Sequence, residues 1–202
     1  MHTNLIESLK NTVGTLFIKP KIDASKISKH ALEIILSLQK NNYEAYIVGG
    51  AIRDILINQN PKDFDIATSA TPEQIRKLFK KSRIIGRRFK LVHVLDGRNI
   101  IEVSTFRAKP QEREIMANGV ERDNAYGTLK EDAERRDFTS NSIYFNPTNK
   151  KLIDFYGGID DIKNKQLAII GIPEIRFRED PVRILRAIRF AAKLDLSINS
   201  DI

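Results

Sequence analysis

The sequence of 202 residues has no cysteine, no tryptophan and only two methionines. Without cysteine the fold has no disulfide, no thiolate-bound metal and no cysteine redox chemistry, so we expect a cytoplasmic location. No apolar run approaches the roughly 18 residues that would suggest a membrane span. Residues 1–21 also lack the continuous apolar stretch and the cleavage site of a secretory signal, so the sequence predicts no membrane association.

What the sequence does contain is typical of a globular protein, with 41% hydrophobic and 30% charged residues. Its length allows one good core and the start of a second unit. The charge is uneven, since 34 Lys and Arg residues outnumber 26 Asp and Glu residues to give a formal net charge of +8. That excess favours a polyanionic partner such as RNA, DNA or nucleotide phosphates, although the same charge also serves solubility.

Hydrophobic periodicity predicts alternating helices and strands along the first half of the chain. The predicted order is helix over 26–40, strand over 45–50, helix over 51–58, strand over 62–69, helix over 71–81 and strands over 90–97 and 99–107. Thr71 and Pro72 supply an N-cap and a first helical residue to the third helix. Asp96 and Gly97 supply the turn between the last two strands.

The second half of the sequence is less regular. Residues from 108 to about 130 are charged and weakly periodic, which predicts a mobile loop, with a folded lid as the alternative. A helix and then a strand are predicted over 131–146, and a strand, a glycine turn and a short helix over 151–165. A strong amphipathic helix is predicted over 180–194, with Asp180 as its N-cap and Pro181 as its first residue. These elements indicate an α/β (α+β) protein.

Two glycines, Gly49 and Gly50, separate a predicted strand from a predicted helix. They let the backbone approach a ligand closely, and the free N–H groups of a helix start favour an anion there. Arg53, one turn later, adds a guanidinium that fits the same phosphate. A tight turn without a ligand is the simpler interpretation of this pattern.

A second pattern places Asp63 and Asp65 one residue apart in a predicted strand, where side chains i and i+2 share a face. Two carboxylates this close repel each other unless a cation lies between them. Glu102, on a nearby predicted strand, is a candidate third carboxylate. Such a group would hold Mg²⁺ beside a phosphate-binding turn, an arrangement that suits nucleotidyl transfer. A solvated turn is the alternative.

Four segments, in order along the chain, resemble the signatures of one family. They are GGAIRDILINQNPKDFDIAT (49–68), RRDFTSNSIYF (135–145), DFYGGIDDI (154–162) and REDPVRILRAIRFAAKL (178–194). On these motifs the sequence resembles the bacterial poly(A) polymerases and tRNA nucleotidyltransferases (CCA-adding enzymes), within the polymerase-β-like nucleotidyltransferases. The resemblance covers residues 26–198 and implies a head with a mixed β-sheet flanked by helices, followed by the start of a helical neck.

The resemblance also implies a role for each matching residue. Asp63 and Asp65 would bind the metal, which is Mg²⁺ or alternatively Mn²⁺, and Glu102 would support them. Asp137 is implied as a further catalytic residue, near the sugar of the nucleotide. The other residues implied to bind the nucleotide in the first two signatures are Gly49, Gly50, Arg53, Arg136 and Asn141.

The fourth signature also has chemistry of its own. An Asp180 carboxylate accepts from an amino group, and an Arg183 guanidinium donates to a ring nitrogen. Adenine and cytosine both offer an amino group beside an acceptor nitrogen, so this pair would accept ATP or CTP and reject GTP and UTP. Arg186 and Arg189 extend the basic face toward phosphates or RNA. Helix capping and solvated charge are the alternative roles of these four residues.

The segment GRRFKLVHV, residues 86–94, is more similar to the poly(A) polymerase branch of the family than to the CCA-adding branch. The resemblance therefore implies template-independent addition of AMP from ATP to the 3′ end of mRNA or another RNA by two-metal-ion catalysis. The alternative is addition of CCA to tRNA from CTP and ATP. A rival of another class is a catalytically silent RNA-binding module, which the net charge alone would permit.

The resemblance finally predicts how the chain is divided. Residues 1–25 are expected to form an N-terminal extension, 26–150 the head, and 151–202 the connection to a helical neck. Relatives continue into neck, body and tail regions that hold the RNA. We therefore expect these 202 residues to bind nucleotide and metal but to extend RNA poorly.

Overall fold

The computed structural model describes residues 22–86, 89–97, 99–108, 114–115, 121–122 and 125–199. Most of the expected N-terminal extension therefore lies outside the described residues. Helix α1 spans Lys29–Lys40. Ser28 caps it by accepting from the backbone N–H of Ala31 at 3.4 Å, which moves the start of the predicted helix from residue 26 to residue 29.

Short helices and strands follow α1 in close succession. The elements up to the end of the fifth strand are β1 (Ala45–Val48), α2 (Gly50–Leu56), β2 (Asp65–Thr68), α3 (Pro72–Leu78), β3 (Ser82–Ile85), β4 (Leu91–Asp96) and β5 (Asn99–Thr105). Those that follow are β6 (Glu114–Ile115), β7 (Glu121–Arg122), α4 (Leu129–Glu134), β8 (Ile143–Asn146), β9 (Lys151–Asp154), α5 (Gly158–Lys163), β10 (Gln166–Leu167), α6 (Pro173–Glu179), α7 (Val182–Leu194) and β11 (Ser197–Ile198).

Seven strands form one sheet in the order β3-β4-β5-β2-β1-β8-β9. Neighbouring strands are antiparallel except β2 and β5, which are parallel. One face packs against α1, α2 and α3 and forms the main core, with Ile34, Ile52, Ile66, Ile75 and Val103 buried. The predicted mixed sheet flanked by helices is therefore confirmed.

The other face of the sheet carries one row of directly opposed residues, which we call the sheet row. From one edge to the other it consists of Arg83, His93, Glu102, Asp65, Val48, Tyr144 and Ile153. Directly opposed residues in neighbouring strands share a face. Val48, Tyr144 and Ile153 are covered by α4 through Ala133 and form a second cluster. The polar half of the row, from Arg83 to Asp65, lies beside this cluster.

A third cluster holds α7 against the rest of the fold. Phe190 and Ala187 of α7 pack against Phe138, Leu167 and Ile169. The rings of Phe138 and Phe190 meet edge to face, with 5.7 Å between their centroids. This contact places the basic face of α7 next to the second signature. Among the described residues, no helix is both long and apolar enough to cross a bilayer.

The structure corrects the predicted elements between residues 71 and 85. Helix α3 ends at Leu78 rather than at residue 81, because Phe79 has an extended backbone with φ −112° and ψ 96°. The chain then enters β3, an edge strand that the sequence analysis does not predict.

A second correction concerns the segment from 108 to about 130, which the sequence predicts as a loop. It contains the antiparallel pair β6–β7 and the first residues of α4. Thr128 and Glu131 form a capping box that starts α4, and Arg107 pairs with Tyr126 in an isolated β-bridge. The described part of this segment thus carries regular structure, whereas residues 109–113, 116–120 and 123–124 of the predicted loop lie outside the described residues.

The third correction concerns Asp180. Pro181, and not Asp180, is the N-cap of α7, while Asp180 ends α6, a helix that the sequence analysis does not predict. The Asp180 carboxylate nevertheless accepts from the backbone N–H of Val182 at 3.1 Å. Asp180 therefore satisfies a free N–H at the start of α7, as predicted for an N-cap, although it lies one residue before the actual N-cap, Pro181.

Candidate active site

The glycine turn lies at the end of β1, where the chain enters α2. Gly49 has φ 77° and ψ −134°, a conformation that residues with a Cβ rarely adopt. Its backbone N–H donates to the carbonyl of Ile143 at 3.3 Å, which ties the turn to β8. A Cβ at Gly49 would lie 3.7 Å from Nη1 of Arg136 and 3.9 Å from Oδ2 of Asp65. The turn is therefore surrounded by predicted site residues.

We expect Gly49→Ala to lower the free energy of unfolding by about 1–3 kcal/mol, because alanine would be held at an unfavourable φ and ψ. Lack of space is not the cause, since the new Cβ would make ordinary contacts at 3.7–3.9 Å. Urea denaturation measures the change. Gly97→Ala is the matched control: its φ of 59° is less demanding and nothing lies within 4 Å of its Cβ position. Equal stability of Gly49→Ala and the wild type would contradict the assigned strain.

Asp63 and Asp65 flank the buried Phe64, and both line one cavity. Asp65 opens β2, where it is directly opposed to Glu102 of β5. Partial burial raises the pKa of Asp65, and the charges of Glu102 and Asp63 raise it further, against the opposing effect of Arg136. Within the described part of the chain, neither Asp63 nor Asp65 has a hydrogen bond or an ion pair through its carboxylate.

These two carboxylates fit a divalent cation. They are hard oxygen donors in a shared cavity, and the pKa of Asp65 is raised first by burial and then by neighbouring negative charge, both of which a bound cation would offset. Glu102, the expected third carboxylate, has its Oε1 3.4 Å from Nε2 of His93 on β4 and does not line this cavity. No cluster of three or more His, Cys, Asp or Glu ligands occurs among the residues that the structure describes.

Asn141 joins two other predicted residues. Its Oδ1 accepts from Nη1 of Arg53 at 2.6 Å, and its Nδ2 donates to Oδ1 of Asp137 at 3.2 Å. Arg53 is buried and forms an ion pair with Asp54 at 2.7 Å. The Arg53 guanidinium is therefore fixed in the cavity wall. The Asn141 amide is held in one orientation because its oxygen and its nitrogen each have a partner.

Asp137 connects the second signature to α7. Its Oδ2 accepts from Nε of Arg186 at 2.7 Å and forms an ion pair with Nη2 of the same residue at 2.6 Å, and its Oδ1 accepts from the backbone N–H of Phe138 at 2.8 Å. The guanidiniums of Arg186 and Arg189 lie 5.3 and 5.1 Å from the ring centroid of Phe190. The ion pair with Asp137 and these cation–π contacts set the basic face of α7 at the cavity.

Arg136 is held by two residues that the sequence analysis does not identify, Asp132 and Tyr144. Nε and Nη2 of Arg136 donate to Oδ2 of Asp132 at 3.3 and 3.2 Å, and Nε also donates to the Tyr144 hydroxyl at 2.8 Å. The Tyr144 hydroxyl donates to Oδ2 of Asp132 at 2.7 Å. Arg135 donates to Oδ1 of Asp132 at 2.5 Å. We call these four residues the Asp132 group.

The charge state of the Asp132 group follows from its burial and its contacts. Burial alone would raise the pKa of Asp132, but Arg136, Arg135 and the Tyr144 hydrogen bond outweigh burial and lower that pKa to about 2. Burial raises the pKa of Tyr144 above its usual value, so its hydroxyl stays protonated and donates. Near neutral pH the group therefore consists of one carboxylate, two guanidiniums and a neutral phenol.

The cavity has a volume of about 430 Å³, within the ~300–1,000 Å³ that is usual for small-molecule sites. All the predicted site residues line it except Glu102, Asp180 and Arg183. The lining residues that the sequence analysis did not identify include Gln59, Asn60, Lys62, Phe190 and Lys193. Lys62 directly precedes Asp63, and Lys193 lies one turn beyond Arg189 on α7. Their sequence spacing from these two predicted site residues could therefore have identified both lysines as candidates.

Asp180 and Arg183 lie apart from the cavity lining. Nη1 of Arg183 donates to the backbone carbonyl of Arg176 at 2.6 Å and to Glu179 at 3.0 Å. The Asp180 carboxylate caps Val182, as described above. In this structure both side chains thus serve the junction between α6 and α7.

Comparison with protein-family models identifies the fold of this site. The model of the Poly A polymerase head domain matches residues 45–168. This range contains the glycine turn, Asp63, Asp65, Glu102 and the whole of the Asp132 group. It ends before α6 and α7.

Several curated proteins are similar over most of the chain. Poly(A) polymerase I of Haemophilus influenzae is 49% identical over 183 residues, which are 87% of this chain and 40% of that protein. Poly(A) polymerase I of Salmonella typhi is 47% identical over 188 residues, 89% of this chain and 40% of that protein. The CCA-adding enzyme of a Geobacillus species is 42% identical over 171 residues, 85% of this chain and 42% of that protein.

A solved structure agrees with these matches. The crystal structure of the Bacillus stearothermophilus CCA-adding enzyme in complex with CTP has a TM-score of 0.73 and 37% identity, over 85% of this chain and 40% of that chain. This chain thus spans about 40% of the length of its poly(A) polymerase relatives. Because the head-domain match takes in more than half of the residues and includes the cavity, the chain belongs to the poly A polymerase head domain family.

Proposed function

We propose that this protein is a polynucleotide adenylyltransferase, which adds AMP from ATP to the 3′ end of RNA and releases pyrophosphate. The observation that carries the proposal is a cavity that combines the Asp63–Asp65 pair with a surplus of arginine and lysine side chains. Identity of 47–49% to poly(A) polymerase I, against 42% to the Geobacillus CCA-adding enzyme, supports adenylate as the product.

Asp63 and Asp65 would hold Mg²⁺, or Mn²⁺ in its place. When bound there, the metal would lower the pKa of the RNA 3′-hydroxyl and neutralise charge on the leaving pyrophosphate. Glu102, directly opposed to Asp65, adds negative charge that attracts a cation without being a ligand itself. The protein's own task is to keep this charge in a fixed position before the substrates arrive.

The cationic residues of the cavity would hold the triphosphate. Arg53 lies in the cavity wall beside the Gly49–Gly50 turn, whose lack of side chains lets phosphate oxygens come close to the backbone. Arg186 and Arg189 approach the same cavity from α7. Fixed guanidiniums of this kind position a phosphate with little loss of side-chain entropy.

Arg136, Asp137 and Asn141 would contact the sugar of the bound nucleotide. Asn141 and Asp137 are hydrogen-bonded to each other, so their remaining lone pairs and N–H groups have defined directions. A site with oriented donors and acceptors rejects a substrate that lacks the matching hydroxyl, because the polar groups would be left unpaired. We therefore assign the choice of ribose over deoxyribose to this trio, with Asp137 as a further catalytic residue.

Asp180 and Arg183 remain our candidates for reading the base. To do so, Arg183 would have to exchange its bonds to the Arg176 carbonyl and Glu179 for the edge of adenine. We also propose that residues 26–150 form the head and that 151–202 lead into a helical neck. Strand β9 would then be the element through which the neck is joined to the head sheet.

The full-length protein is expected to extend an unstructured RNA with ATP alone, and to add little from CTP, GTP or UTP. Each nucleotide is offered separately, with an unstructured RNA and with a tRNA that lacks its 3′ terminus, and the products are resolved on a sequencing gel. A product that stops after C, C and A on the tRNA would replace this proposal with the CCA-adding alternative. RNA binding without any addition would favour the catalytically silent binding module.

A further inference from the structure

A second cavity lies at the β3 edge of the sheet, away from the one that contains Asp63 and Asp65. Its volume is about 480 Å³. Four of the residues that line it are cationic: Arg76, Lys80, Lys81 and Arg83. The others are Ser82, Leu95 and Gly97, so no acidic side chain is among them. We call this the edge cavity.

The charge of the edge cavity is not neutralised within the described part of the chain, where none of its four cations forms an ion pair with a carboxylate. Arg76 donates to the backbone carbonyl of Ser82, which holds its side chain at the edge while leaving its charge intact. Lys80, Lys81 and Arg83 are exposed. A concave surface with several uncompensated charges of one sign concentrates field lines and attracts counter-ions.

The sheet row connects the edge cavity to the candidate active site. Arg83 is opposed to His93, His93 to Glu102, and Glu102 to Asp65, all on one face of the sheet. Three strand-to-strand steps of ~4.8 Å separate Arg83 from Asp65, so about 14 Å lie between their backbones. An extended RNA strand with its 3′ end at Asp65 that crosses this face would reach the edge cavity within a few nucleotides.

We propose that the edge cavity binds backbone phosphates of the RNA strand, a few nucleotides upstream of the 3′ end. The inference rests on the proposed function, which places the 3′ end at Asp63 and Asp65. Contacts of cations with phosphates carry no sequence information, which suits an enzyme that extends any 3′ end. Charged residues also protect exposed edge strands from pairing with other chains, and the experiment separates that role from RNA binding.

The test compares the wild type with the triple variant Lys80→Gln, Lys81→Gln and Arg83→Gln. Affinities for fluorescent oligoadenylates of about 20 and about two nucleotides, the shorter of which cannot span from Asp65 to the edge cavity, are measured by anisotropy over a range of salt concentrations. We expect the long RNA to bind about tenfold more weakly to the variant, with a salt slope smaller by about two, since each phosphate contact with a single strand contributes ~0.7. The short RNA is expected to bind equally to both proteins.

The matched control removes three charges elsewhere, with Lys29→Gln, Lys40→Gln and Lys150→Gln, all exposed. Equal loss of affinity in the control, equal loss for both RNA lengths, or no loss for the long RNA would each overturn the proposal. Aggregation of the triple variant with unchanged RNA affinity would overturn the proposal and assign the charges to edge protection. Polyglutamate is offered as a second probe, and a variant that loses affinity for polyglutamate but not for RNA would show that the edge cavity binds an acidic protein instead. Nucleotide addition is assayed separately, so a failure of the proposed function is distinguished from a failure of this one.

Discussion

Replacing Asp63 and Asp65 together by asparagine is expected to lower adenylate incorporation by about a thousandfold or more. An amide is a neutral, weak ligand, so the variant would lose the cation that lowers the pKa of the attacking hydroxyl, an effect worth several kcal/mol. Single-turnover incorporation of AMP by the full-length protein measures the change. RNA affinity is expected to change little, which separates an enzyme from a binding module.

Stability gives an independent readout of the same variant. The raised pKa of Asp65 means that its ionised form destabilises the fold: the penalty is absent below the unfolded-state pKa and is fully present once the pH exceeds the folded-state pKa. Asparagine removes the buried charge and its repulsion by Glu102, so the Tm at neutral pH should not fall. Added Mg²⁺ should raise the Tm of the wild type but not that of the variant.

The matched control for this double variant is Asp96→Asn in the turn between β4 and β5, where the side chain is 64% exposed. It should keep both the activity and the Mg²⁺-dependent rise in Tm. Substantial incorporation by the double variant, or a rise in its Tm with Mg²⁺ equal to that of the wild type, would contradict the assignment of Asp63 and Asp65 as the metal-binding pair.

Asp132→Ala is expected to lower the free energy of unfolding by about 3–5 kcal/mol, because it leaves two guanidiniums partly buried without their carboxylate. The Asp132 side chain is fully buried and is the common acceptor of Arg135, Arg136 and Tyr144. Thermal and urea denaturation measure the loss. Tyr144→Phe, which removes one hydroxyl and leaves the ion pairs, should cost only about 0.5–1.5 kcal/mol.

The pH dependence gives a second test of Asp132. Its pKa is lowered to about 2, so its contribution to stability is complete above the unfolded-state value of 3.8 and is lost as the pH falls from 3.8 toward 2. The difference in stability between the wild type and Asp132→Ala should therefore shrink across that acid range. A constant difference down to pH ~2 would show that the carboxylate acts through packing rather than charge.

Much of the site could be predicted because its residues follow local rules. A pair of glycines between a strand and a helix identified the turn, and the spacing of Asp63 and Asp65 predicted that both carboxylates would share one side. Both line the cavity in the structure. The mixed sheet is likewise confirmed, and β4 shows the expected alternation, with Val92 and Val94 buried and His93 between them partly exposed.

The parts that escaped prediction depend on contacts distant in sequence. Strand β3 has only four residues, two of them exposed, and its pairing with β4 gives it regular structure. Asp132 lies i, i+3 and i, i+4 from its arginines, a spacing visible in the sequence, but its burial depends on Tyr144 from β8. The Asp96–Gly97 turn predicted that β4 and β5 are neighbours, but the approach of Oε1 of Glu102 to Nε2 of His93 at 3.4 Å depends on the register of the pair, which was not predicted.

The parallel pairing of β2 with β5 couples correct folding to chemistry. A slip of one residue between these strands would set Ile101 or Val103 opposite Asp65 and would drive the charge of Glu102 into the hydrocarbon interior. The same error would thus remove both the apolar packing and the negative charge of Asp65 and Glu102 that attracts a cation. A molecule with this register error is therefore expected to lose its stability and its candidate cation site together.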